Sequence, residues 1–232
     1  MKWEEVFCNT FSAIRKRLGL PEPSEHKIDM VKASRSDDSD LCHEMLTTFG
    51  FTEDQMHRTA ERFHLGRSKS GQTIYWMIDD MGRCLDGRLS DTWVSTLLKR
   101  RYPAAAPYLK VDRCFFGLHQ ISMNEGKPIG IVESESSAVI LSELCPDLIW
   151  LAYSYGTNCL IDNFEPLQGR KITLYPRTDP SQEYYLSFLE LSDQVKRAYK
   201  DIDISVSRFL EDNASDDQKA RNIDLLEFML ES

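Results

Sequence analysis

One glutamate, one aspartate and one arginine carry the chemistry open to this chain. Residues 128–133 read as a short apolar strand ending in Glu133, and small residues (Ser136, Ser137, Ala138) start a helix at once. In open α/β sheets the ligand crevice lies just outside the carboxyl ends of the strands. A carboxylate there is placed to hold a metal ion or to move a proton. Ser134 and Ser136 are placed to cap the helix, whose N-terminus also favours an anion. The pattern recurs at residues 171–175, a strand that runs into Pro176, Arg177, Thr178 and Asp179. With an aspartate two residues earlier, Asp179 would belong to a hard-oxygen pair suited to Mg²⁺. Arg177 stands there instead, and a guanidinium repels a cation and favours a phosphate oxygen. Tyr155, Gly156, Thr157 and Asn158 lie between the two. They read either as a turn whose backbone N–H groups reach a ligand or as a plain strand-to-helix turn.

Other chemistry-bearing residues read more plainly. There is no P-loop, no Gly-x-Gly-x-x-Gly and no His-x-x-x-His spacing. His119 has no Ser or Cys partner in a known motif and is assigned no catalytic role. Lys99, Arg100 and Arg101 read as a solvated helix end. Tyr75, Trp76 and Trp93 read as core or sheet-face residues before base-stacking platforms.

The bulk composition narrows the class. A length of 232 residues suffices for one large domain or two small ones. No run approaches the roughly 18 apolar residues of a membrane span. The acidic, interrupted start does not read as a secretory signal, so a cytoplasmic protein without membrane association is expected. The six cysteines contain no Cys-x-x-Cys pair, which argues against a zinc ribbon and leaves reduced, buried thiols. A net charge of −9 disfavours indiscriminate nucleic-acid binding. The charge is uneven, however. Residues 58–113 carry 11 Lys/Arg against 6 Asp/Glu, and residues 201–232 carry 3 against 9. A basic middle beside an acidic tail fits a phosphate-facing surface, and equally two parts that pack together.

The elements that must position these residues follow from periodicity. Residues 2–18 predict an amphipathic helix, residues 21–40 a linker or long loop, and 40–48 and 53–63 two helices, the second with a Thr52/Gln55 capping box. Residues 73–78 and 83–89 predict a hairpin about a turn at 79–82, and 91–101 a short helix. From 128 onward strands are expected at 128–133, 148–153, 171–175 and 202–206. Helices are expected at 136–144, 163–168 and 182–199. One last helix is expected over 215–230, capped by Ser215 or Asp216.

Taken in order, these pieces resemble the Toprim domain of bacterial and phage DNA primases and primase-helicases. Residues 62–66 (Arg-Phe-His-Leu-Gly) resemble the motif that opens the primase catalytic core. Residues 74–83 resemble its hairpin with an Asp-x-x-Gly turn, and Phe116-Gly117-Leu118 the segment before the first Toprim strand. Ile131-Val132-Glu133-Ser134-Glu135 is similar to the family's Val-Glu-Gly, Tyr155-Gly156-Thr157 to its Gly-Thr turn, and residues 175–179 to its Asp-x-Asp strand end. The Val-Glu-Ser-Glu variant also resembles primase-like proteins of conjugative and phage-like elements. The resemblance covers residues 53–200.

It implies an α/β fold: a Toprim-like (Rossmann-like) parallel sheet of about four strands flanked by helices, preceded by a smaller α+β subdomain. The division expected is 1–39 N-terminal helix and linker, 40–118 primase-core-like subdomain, 119–206 Toprim-like domain and 207–232 acidic C-terminal helix. By resemblance Glu133 takes the place of the catalytic glutamate and Asp179 that of a metal aspartate. Arg67, Lys69, Arg83, Arg88, Gly156, Thr157 and Arg177 are the nucleic-acid or phosphate contacts. Arg177 replaces the first aspartate, Ser134 the glycine after Glu133, and Pro180 and Ser181 stand where a glycine follows Asp-x-Asp. The expectation is therefore a degenerate Toprim module associated with single-stranded nucleic acid, a nucleotide, or a replication or mobilisation protein, with no tightly bound cofactor. The alternatives are an active Mg-dependent nucleotidyl- or phosphoryl-transfer enzyme using Glu133 and Asp179, and a non-catalytic protein-interaction module.

Overall fold

The computed structural model of the chain describes residues 23–90, 92–103, 113–154 and 161–231. Two four-stranded sheets organise it. The first is antiparallel, in the order β1 (Gly66–Arg67), β2 (Thr73–Ile78), β3 (Cys84–Leu89), β4 (Thr92–Trp93). Helices α1 (Pro23–Ser34), α2 (Asp40–Thr47) and α3 (Glu53–Arg62) precede it and α4 (Val94–Arg101) follows it.

The second sheet is parallel. Its strands are β5 (Ile129–Val132), β6 (Ile149–Ala152), β7 (Lys171–Leu174) and β8 (Asp203–Val206), and its spatial order is β6-β5-β7-β8. Helix α5 (Glu135–Leu144) connects β5 to β6. A 3₁₀ helix (Ile161–Leu167) leads into β7, and α6 (Glu183–Ala198) connects β7 to β8. Helices α7 (Phe209–Asn213), α8 (Asp216–Ala220) and α9 (Leu225–Glu231) close the chain.

The parallel strands are short apolar runs because both sheet faces are covered. Ile129, Ile131, Leu151, Ile172 and Leu174 face a core with Phe188 and Val195 of α6. Val132, Trp150 and Ala152 face the opposite core, which contains Val139 and Ile140 of α5. That second core extends to Met45 of α2, Phe63 and Met77, so it joins the two sheets. Strand β2 is itself buried on both faces: Met77 enters the shared core, while Ile74, Trp76 and Ile78 enter a third one with Val31 and Val94. Gly130 makes the central register possible. A Cβ there would stand 2.8 Å from the Trp150 ring, which lies across β5.

The expected strands appear within a residue or so of their bounds, and α3 carries the predicted box, with Thr52 and Gln55 capping each other. Two expectations are corrected. Residues 21–40 are not all linker, since α1 occupies Pro23–Ser34. A proline in a first helical turn costs no backbone bond, and the helix is pinned where the Trp76 indole N–H donates to Ser34 Oγ at 3.1 Å. The single helix expected over 215–230 is two. Asn222 takes a left-handed φ of 55°, Ile223 turns into the core, and Asp224 starts a new cap. The Glu227 N–H donates to Asp224 Oδ1 at 2.9 Å and the Asp224 N–H to Glu227 Oε2 at 2.8 Å. The expected helix at 2–18 and the turn at 155–158 lie outside the described residues.

Candidate functional site

Strand order reverses at the carboxyl end of β5. The chain leaves β5 for β6 on one side and later places β7 on the other. Such a switch point is where open α/β sheets form their crevice. The residue after β5 is Glu133, and Arg177 follows β7. Ser134 caps α5, accepting from the Ser137 N–H at 3.4 Å, and this cap fixes Glu133 at the mouth. Arg177 Nε donates to Glu133 Oε2 at 3.1 Å, with side-chain exposures of 17% and 7%. The guanidinium also lies over the Tyr184 ring of α6, 5.4 Å from its centroid. Glu133 Oε1 is buried without a hydrogen-bond partner among the described residues. Burial pushes the Glu133 carboxyl above its ordinary value, and Arg177 and Tyr153 only partly oppose that.

Asp179 lies at the same edge, five residues beyond β7, but its oxygens are engaged. Oδ1 accepts from the Ser181 N–H at 2.9 Å and from Ser181 Oγ, and Oδ2 accepts from the Tyr184 N–H at 3.0 Å. Asp179 thus caps α6. Burial acts upward on its pKa, but the hydrogen bonds from Ser181, Tyr184 and Glu183 outweigh it and hold the carboxyl below its usual range. Among the described residues, no three His, Cys, Asp or Glu side chains are grouped to hold a metal ion.

The C-terminal segment closes over this edge. Ser137 Oγ donates to Asp224 Oδ2 at 2.6 Å, Thr178 Oγ1 to Glu211 Oε1 at 2.8 Å, and the Thr178 N–H to the Ile223 carbonyl at 3.1 Å. Asp224 and Glu211 are therefore part of the site's surroundings, which motif reading missed. The Asp224-x-x-Glu227 spacing was their one signal, as a cap. On the other side Glu135 faces the antiparallel sheet, with Arg88 Nε 3.6 Å away. Burial also raises its pKa, against a hydrogen bond from Ser154 and the charge of Arg88. A cleft of about 290 Å³ runs between the sheets here, lined by Gln72, Tyr75, Arg88, Ser90, Glu135 and Ser136 among others.

The other sequence-selected cations are spread out. Arg88 is held beside Glu135 and over Trp93, where Arg113 also lies, 3.8 Å from the ring centroid. Arg67 Nε donates to the Asp38 carbonyl at 2.7 Å, and Lys69 is exposed on the β1–β2 loop. Arg83 sits at the opposite end of the hairpin, where Nε donates to Asp79 Oδ2 at 2.7 Å. Gly156 and Thr157 lie outside the described residues.

Fold and site together define a mixed α/β protein. It has a four-stranded parallel sheet flanked by helices, an added antiparallel sheet, and a buried Glu–Arg pair at the switch point. The chain belongs to the family described as a domain of unknown function (DUF6371), whose model matches residues 39–178. Among solved structures it is similar to one titled "Structure of the DnaG primase catalytic domain bound to ssDNA". That match covers 90% of this chain and 74% of the other, at 12% identity and a TM-score of 0.40. No curated protein matches the chain. No helix among the described residues is long and apolar enough to cross a membrane.

Proposed function

We propose that the chain is a degenerate Toprim primase-like module that associates with nucleic acid or nucleotide and whose switch-point edge is not a catalytic metal centre. The observation that carries this reading is the Arg177–Glu133 pair: the position of the absent aspartate is filled by a cation that already neutralises Glu133. A guanidinium about 4 Å from a metal ion costs on the order of 4 kcal/mol per unit of cation charge at an effective dielectric near 20. Asp179 supports the same reading, because a metal would have to take its oxygens from the α6 cap. The residues present therefore do not fit Mg²⁺, and no catalytic step is assigned to them.

Binding of single strands is supported by the cations at the far end of the antiparallel sheet. Arg67 and Lys69 are exposed, and a surface ion pair such as Arg67–Asp38 holds its partner by only about 0–1 kcal/mol, so phosphate can replace it. Anisotropy of a labelled single strand tests this reading: binding at low ionic strength that weakens with salt is expected, together with no primer synthesis by the protein alone. Absence of binding at low salt, or template-dependent primer synthesis, overturns it.

A second reading, Mg-dependent transfer at the same edge, is favoured by one observation: Glu133 Oε1 is buried and without a partner among the described residues. The adjacent guanidinium outweighs it.

A further inference from the structure

A groove of about 530 Å³ opens between α1 (Val31, Lys32), the β2–β3 turn (Ile78, Met81) and the 118–122 turn (Ser122, Met123). We propose that this groove is the docking site of residues 2–18 of the same chain. They fold back along α1 as an amphipathic helix and lay Phe7 and Phe11 between Met81 and Met123. The site is separate from the Glu133 edge and rests on no reading of what that edge does.

Three observations carry it. The first is the rim. Met81 and Met123 are 71% and 73% exposed, the two most exposed large apolar side chains among the described residues. Single exposed apolar residues need no explanation, but two on the rim of one apolar groove mark an interaction surface. Methionine suits such a surface, because its unbranched thioether remoulds around the face laid on it. Asp79 fixes the Met81 turn in advance by accepting from the Met81 and Arg83 N–H groups.

The second is the pattern of the segment. Trp3, Phe7, Phe11, Ile14 and Leu18 recur at spacings of four, four, three and four, which is one stripe of a helix. A helix of this length is marginal in water by itself and draws its stability from covering such a stripe. An amphipathic helix in a groove does this by inserting anchors from successive turns.

The third is reach. Residues 1–22 lie outside the described residues, which begin at Pro23, the first residue of α1. Residues 19–22 (Gly-Leu-Pro-Glu) separate the two helical stretches, and antiparallel helices are joined by loops of about 2–5 residues. Val31 in the groove wall lies about 12 Å along α1 from Pro23. With Leu18 beside Pro23 and about 1.5 Å of rise per residue in both helices, Phe11 and Phe7 come level with residues 30–34. That stretch borders the groove, and Trp3 falls just past its end.

Methionine footprinting of the full chain decides it. Brief treatment with hydrogen peroxide converts accessible methionine to its sulfoxide, which mass spectrometry reads site by site. Met229 of α9, 39% exposed, is the internal reference. With the groove covered, Met81 and Met123 should oxidise about tenfold more slowly than Met229, the protection given by a docked-to-open ratio of about ten. Phe7→Asp with Phe11→Asp removes the anchors and leaves every described residue in place, so it should reverse that order. With p-benzoylphenylalanine in place of Met123, irradiation should crosslink the groove to residues 2–18 of the same chain. Faster oxidation of Met81 and Met123 than of Met229 in the unmodified chain overturns the proposal, as does protection that survives Phe7→Asp with Phe11→Asp. Protection that vanishes on dilution, or a crosslink between two chains, also overturns it, because a second copy is then the occupant.

Discussion

At Glu133 the balance of charge is the point on which the site turns. The carboxyl is buried, its pKa is raised, and Arg177 supplies the charge that keeps it tolerable. Because the folded pKa lies above the unfolded one, the folded state binds the extra proton, and stability is lost as pH rises through the folded value. Removing Arg177 enlarges that shift. Arg177→Met is therefore expected to cost about 3 kcal/mol at pH 8, where an unpaired carboxylate is buried, and much less near pH 3, below the ordinary glutamate range, where Glu133 is protonated in both states. Denaturant unfolding at the two pH values measures the difference, and adding Glu133→Gln should recover most of it. Asp179 behaves oppositely. Its folded pKa is depressed, so its contribution is present above the unfolded value and lost as pH falls through the folded one. Asp179→Ala should lower stability by about 1–2 kcal/mol at pH 7 through loss of the α6 cap, and the effect should fade as pH falls below the usual aspartate range.

Among the elements, those whose ends are written in local chemistry were legible. Thr52 with Gln55 fixed the start of α3, and Ser215 with Gln218 fixes the start of α8 in the same way. The break between α8 and α9 was not legible from apolar spacing, because Ile223, Leu226 and Met229 keep helical periodicity across it. Only the tertiary partners of Asp224, on Ser137 and beside Thr178, explain why the helix stops. Likewise Asp179 reads from the sequence as a metal ligand, and only the folded chain shows Ser181 and Tyr184 claiming its oxygens. The pleat of β5 yields its own prediction. Gly130→Ala drives a methyl into the Trp150 ring, so a loss of about 1–3 kcal/mol from overpacking is expected in thermal or denaturant unfolding. An unchanged midpoint would mean that the ring moves aside freely.

Across the whole molecule, at least four of the eleven cations of residues 58–113 are matched by carboxylates of the fold. Arg58 and Arg62 meet Glu143, Arg88 meets Glu135, and Arg113 meets Asp86. None of these partners lies in residues 201–232, so these cations are matched by other parts of the fold and not by the acidic tail, which no charge count along the sequence could show. Single-strand affinity should accordingly depend on salt with a slope of about −2 to −3, the release expected from three or four phosphates rather than ten. Reversing Lys69 and Arg67 to Glu should flatten that slope, whereas Arg83→Glu, at the far end of the hairpin, should leave it nearly unchanged. The central claim is that Arg177 has replaced a metal at the switch point, and Mn²⁺ calorimetry tests it most directly. The unmodified protein should show no saturable binding below about millimolar Mn²⁺, since a thousandfold in affinity corresponds to roughly 4 kcal/mol, and Arg177→Asp should bind detectably better. Tight binding by the unmodified protein, abolished by Glu133→Gln, would contradict the account.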